Sequence, residues 1–117
     1  MELVACLSTG KGTWGHVSRL INDGEWSKII LVTNNFGKEN FTNEKKTEMI
    51  VIDDRGPLES IRDSLVKELK EKLEGPEVAV NFASGSGKEH MALMSALLKC
   101  GLSLRFYALT TDGMKEI

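Results

Sequence analysis

Residues 78–101 read VAVNFASGSGKEHMALMSALLKCG, and three kinds of local structure follow one another there. Val78 to Phe82 is a short apolar run of the kind a buried strand needs. Ala83 to Lys88 alternates small residues with glycine and reads as a loop. Glu89 to Lys99 reads as a helix with Met91, Ala92, Leu93, Met94, Ala96, Leu97 and Leu98 nearly all round it. Such a helix must be covered on more than one side. The expected cover is a second copy of the chain, because two-fold dimers are the commonest oligomers. The competing cover is the chain's own last residues.

The same order of strand, loop and helix recurs on both sides. Leu3 to Leu7 (LVACL) is a strand, Ser8 to Gly15 (STGKGTWG) a glycine-rich loop, and Val17, Leu20 and Ile21 recur at helical spacing before Gly24. Ile29 to Val32 and Met49 to Ile52 are two further strands, separated by a polar segment with room for one short helix. Pro57 suits the first position of a helix and Gly75-Pro76 its stop, with Leu58, Ile61, Leu65, Leu69 and Leu73 on one stripe. Asp63 with Lys67 and Glu68 with Lys72 are favourable pairs on its wet side. Leu102 to Leu109 is a fifth strand, and Asp112-Gly113 turns the chain into a short strand at Met114 to Ile117. Alternating strands and helices predict a Rossmann-like α/β fold over residues 1–117: an open, mostly parallel sheet with helices on both faces. Strands one and four then neighbour each other at the switch point, where ligands bind beyond the carboxyl ends of the strands. Both glycine-rich loops fall there.

Composition narrows the function classes. With 117 residues the chain has the length of one domain, and 41% hydrophobic against 27% charged residues excludes wholesale disorder. A net charge of −2 argues against a broad nucleic-acid footprint, so no direct DNA binding is expected. No apolar run approaches a membrane span, and the start MELVACLSTG lacks the basic region of a secretory signal, so a cytoplasmic location is expected. Cys6 and Cys100 form no metal or disulfide pattern, and the two histidines have no ligand spacing. Neither a metal nor another cofactor is expected.

The loops carry the chemistry. Asn81, Ser84, Gly85, Ser86, Gly87 and Lys88 combine small residues, hydroxyls and a mobile cation before a helix, a set that suits phosphate. Phe82 and Glu89 break the Walker A pattern, which needs Gly at the first position and Ser or Thr at the second, so magnesium-dependent NTP hydrolysis is disfavoured. Gly10, Gly12 and Gly15 fit the spacing of a dinucleotide fingerprint, but Thr33, Asn34 and Asn35 stand where its acidic residue should end strand two. His16 and His90 each open a helix after one of these loops, where an anion would hold them protonated. Trp14 either stacks on a base or packs on its own domain.

The run VAVN, then Ser84-Gly85-Ser86-Gly87-Lys88, then the apolar helix ending Lys99-Cys100-Gly101, then SLRFYAL, resembles the CRISPR-associated Rossmann fold (CARF) domain family. That family typically carries Asn-x-Thr-Gly-Gly-Thr-Lys at this place. Here Asn81 and Lys88 stand one residue further apart, Ser84-Gly85 replaces Thr-Gly, and Ser86-Gly87 replaces Gly-Thr. The resemblance implies a homodimer that binds a cyclic oligoadenylate second messenger in CRISPR-linked antiviral signalling. The implied ligand contacts are Ser8, Thr9 and Gly10 after strand one and Asn81, Ser84, Gly85, Ser86, Gly87, Lys88 and His90 after strand four.

Four functions compete on these residues. The first is a sensor that binds the ring and does no chemistry. The second is a metal-independent ring nuclease, in which the resemblance assigns a hydroxyl of Ser8 or Thr9 and the Lys88 amine as the catalytic pair. The third is a small nucleotide-binding protein outside this family. The fourth is a scaffold with an empty cleft. Most relatives fuse the sensor to an effector, and no effector chemistry is visible in these residues.

Overall fold

The computed structural model describes residues 1–7 and 10–117. Six strands form one sheet in the order β3-β2-β1-β4-β5-β6. They are β1 (Glu2–Leu7), β2 (Lys28–Thr33), β3 (Glu48–Val51), β4 (Glu77–Asn81), β5 (Ser103–Thr110) and β6 (Gly113–Glu116). The first five run parallel, and β6 returns antiparallel along β5, pairing Tyr107 with Glu116 and Thr110 with Gly113. The helices are α1 (Trp14–Asp23), α2 (Asn35–Asn40), α3 (Leu58–Lys72) and α4 (Gly87–Lys99). This is the expected Rossmann-like α/β architecture, and β1 lies beside β4.

Strand alternation sorts the core into two layers. Val4, Cys6, Ile30, Val32, Val78 and Val80 face Ile61, Leu65 and Leu69 of α3 and Ala92, Leu93, Ala96 and Leu97 of α4. Leu3, Ala5, Leu7, Ile29, Leu31 and Ala79 face Val17, Leu20 and Ile21 of α1 and, beyond α2, Phe41. Every residue of β1 is buried, which is why LVACL carries no alternation of polarity. The one carboxylate in β1, Glu2, accepts the Glu74 and Gly75 amides at 3.0–3.1 Å and so fastens the turn between α3 and β4.

Differences from expectation are local. Pro57 precedes the first helical residue, because its ψ of 146° is still extended. Glu68 and Lys72 pair at 3.7 Å, whereas Asp63 accepts from its neighbour Arg62 at 2.9 Å. The chain's last residues do not cover α4: they run along β5, where the Ile117 amide donates to the Phe106 carbonyl at 2.8 Å. Met91 and Leu98 of α4 are consequently 63% and 57% exposed.

Candidate functional site

The carboxyl ends of β1 and β4 lie side by side at the switch point the strand order predicts, and β4 ends before β5 does. Pairing between them stops at Val80 with Phe106. Two side chains then take over the exposed edge of β5. Asn81 Nδ2 donates to the Tyr107 carbonyl at 2.8 Å and to His16 Nε2 at 3.1 Å, while its Oδ1 accepts the Ala83 amide at 3.1 Å. His16 Nε2 in turn accepts the Leu109 amide at 3.2 Å. A backbone N–H can only donate, so Nε2 is the acceptor in that contact. His16 meets the edge of β5 here as a hydrogen-bond acceptor.

The β4 loop closes on itself in a second way. The His90 ring stacks on Phe82, with centroids 5.2 Å apart and planes 15° from parallel, and its Nε2–H donates to the Ser84 carbonyl at 2.7 Å. Gly85 sits inside this closure with φ of 106°, and a Cβ there would stand 2.9 Å from His90 Nε2 and 3.1 Å from Cys6 Cβ. Glycine is required at that position by both backbone and space. Ser84 is buried beneath it.

The start of α4 is a capping box. Ser86 Oγ accepts the Glu89 amide at 3.2 Å, and Glu89 Oε1 accepts the Ser86 amide at 2.7 Å. Among the described residues the Gly87 and Lys88 amides have no acceptor, as first-turn donors ordinarily do. Lys88 Nζ reaches the Asp54 carbonyl at 3.3 Å. The buried Glu89 carboxylate lies close to Cys6. Burial, with Glu89 adding, pushes that thiol far above its ordinary range.

Ser8 and Thr9, named for the β1 loop, lie outside the described residues. Gly10 follows them in extended backbone, leading into a 3-10 turn at Lys11–Thr13. A Cβ at Gly12, Gly15 or Gly87 would meet nothing within 4 Å, and none of the three has positive φ. Neither packing nor backbone therefore demands glycine at these positions, Gly12 in the 3-10 turn and Gly15 and Gly87 in the first turns of α1 and α4. Trp14 packs on its own domain, edge-on to Phe41 at 5.6 Å and tilted against Phe36 at 5.9 Å.

One part of this edge was not read from the sequence. A pocket of about 660 Å³ lies beyond β2 and β3. Its lining includes Asn35, Phe36, Asp53, Asp54 and Arg55. The signal was present as polar residues directly after two strands, Asn34-Asn35 and Asp53-Asp54-Arg55, but their meeting depends on β2 and β3 being neighbours. No group of three or more His, Cys, Asp or Glu is placed to hold a metal among the described residues. No helix there is long and apolar enough to cross a membrane. Compared with known proteins, the chain matches no family model and no curated protein.

Proposed function

We propose that this chain is a sensor module that binds a cyclic oligoadenylate across a two-fold homodimer, without turning it over. One observation carries the reading: Gly87 belongs both to the phosphate-suited β4 loop and to the apolar groove along α4. That groove, about 650 Å³, also includes Met91, Met94 and Leu98. A second copy seated on it with the two-fold axis at the Gly87 end would bring a second Gly87-Lys88 beside the first. Two lysines and two sets of first-turn amides then converge, as a ring of phosphates on a two-fold axis requires. The resemblance of residues 78–109 to CARF domains supplies the ligand class.

The test is incubation of the purified protein with cyclic tetra- and hexa-adenylate, with titration, mass spectrometry and sedimentation run together. The reading expects one ring per two chains and no new products. Linear products would replace it with the ring nuclease, whose cleavage Lys88→Ala should abolish. Absence of ring binding, or binding to a monomer, would overturn it.

A further inference from the structure

Among the described residues, large apolar side chains left exposed fall in three places. Met1 and Ile117 are at the chain ends, Met91 and Leu98 are on α4, and Phe36 and Val51, each 37% exposed, share the pocket beyond β2 and β3. The first needs no explanation, and the second belongs to the proposed dimer. The third combines an aromatic face with carboxylates and a guanidinium. The Asn34 amide donates to Asp54 Oδ2 at 3.0 Å, which fixes that carboxylate at the end of β2. There a nucleotide-binding sheet carries the acid that takes ribose hydroxyls. The acid missing from strand two is supplied from the loop after strand three.

Three cations stand at or beside this pocket, against the two carboxylates of its lining, Asp53 and Asp54. Arg55 lines the pocket and has no side-chain hydrogen bond or ion pair among the described residues. Lys88 Nζ lies on the Asp54 carbonyl at 3.3 Å, and Lys11 Nζ stands 5.6 Å from the Phe36 ring centroid. Two cations thus flank a pocket that contains a third. A volume of about 660 Å³ accommodates a small ligand. We propose that this pocket binds a nucleoside 5′-phosphate, with the base on Phe36, the ribose diol on Asp54 and the phosphate at Arg55. The site goes beyond the ring-binding reading and does not depend on it.

Adenosine 5′-monophosphate is the probe, titrated into the whole chain by calorimetry and by backbone amide shifts. The expected result is saturable binding with the largest shifts at Phe36, Asp54 and Arg55. The 2′-deoxy analogue should bind about tenfold more weakly, since it lacks one hydroxyl hydrogen bond to a carboxylate. Asp54→Asn should weaken the monophosphate and abolish the difference between the two ligands. Because the deoxy comparison uses unaltered protein, it stands even if Asp54→Asn disturbs the Asn34 contact. Absence of saturation up to ~5 mM, equal affinity for both ligands, or shifts confined to Gly87 and Lys88 would overturn the proposal. Cyclic tetra-adenylate is titrated in parallel. Ring binding without monophosphate binding removes only this site, and monophosphate binding without ring binding removes only the sensor reading.

Discussion

Replacing Asn81 by alanine tests whether side chains complete the sheet where β4 ends. Asn81 is 3% exposed and makes hydrogen bonds to the Tyr107 carbonyl, His16 and the Ala83 amide. A net hydrogen bond contributes about 1 kcal/mol, and a carbonyl left unsatisfied in a partly buried place costs a further 1–3 kcal/mol. The Ala83 amide can turn to water, because that residue is exposed. The expected loss is therefore about 3 kcal/mol, a large share of the stability of a domain this size. With a urea m-value of about 2 kcal/mol/M, the midpoint falls by about 1.5 M.

Asn81→Asp sharpens the test. It keeps the acceptor for Ala83 and removes the donor, so an ionised carboxylate opposes the Tyr107 carbonyl. The folded state then favours the protonated acid and raises its pKa above the unfolded value. Stability is retained below the unfolded pKa and lost as pH rises through the folded one. Urea melts at pH 4 and pH 8 read both effects. A midpoint shift under about 0.3 M for Asn81→Ala, or equal stability of Asn81→Asp and the parent at pH 8, would refute the account of the β5 edge.

Three other outcomes follow from single contacts. Gly85→Ala should destabilise by about 1–3 kcal/mol in thermal melts, from positive φ and the crowding against His90, whereas Gly87→Ala should leave the melt unchanged or raise it. Arg105 bonds Glu116 at 2.6 Å and Glu77 at 2.8 Å, and its hydrogen bond holds the Glu116 carboxyl below the ordinary range, desolvation opposing in part. That contribution is present above the ordinary carboxylate pKa and is lost as pH falls through the lowered one, so β6 protection factors should drop on acidification and Glu116→Gln should flatten the profile. With a thiol reagent at pH 8, Cys6 should react only as fast as the native core opens, and equal native rates at Cys6 and Cys100 would contradict its burial.

Much of this fold is legible because β1, β2 and β4 are buried on both faces and read as unbroken apolar runs. Glycine and proline punctuate them, and the alternation of elements prescribes the neighbours of β1. The site is legible only as far as local chemistry reaches. Ser86 and Glu89 meet across one helical turn, and their types alone announce a cap. His16 meets Asn81 across 65 positions and Leu109 across 93, so nothing near it in sequence distinguishes an acceptor in the sheet from a cation in a cleft. Asp54 meets Asn34 only because β3 lies beside β2. Lys88 was read as a loop-four cation, and its reach to Asp54 ties that loop to the pocket two strands away.

The capping box bears on how an anion can be held at the crevice. The helix start offers partial positive charge, but the Glu89 carboxylate already occupies the Ser86 amide and is 7% exposed. A phosphate arriving at Gly87 and Lys88 therefore meets a nearby fixed negative charge in weakly screening surroundings. A two-fold pair of chains doubles Lys88 and Glu89 alike, so any net attraction comes from the first-turn amides of Gly87 and Lys88 and not from a surplus of lysine. In the proposed dimer, a ring that touches both helix starts would couple its affinity to occupancy of the α4 face. By linkage that coupling would run both ways, so under this proposal the ring would tighten the dimer by the factor by which the dimer tightened the ring.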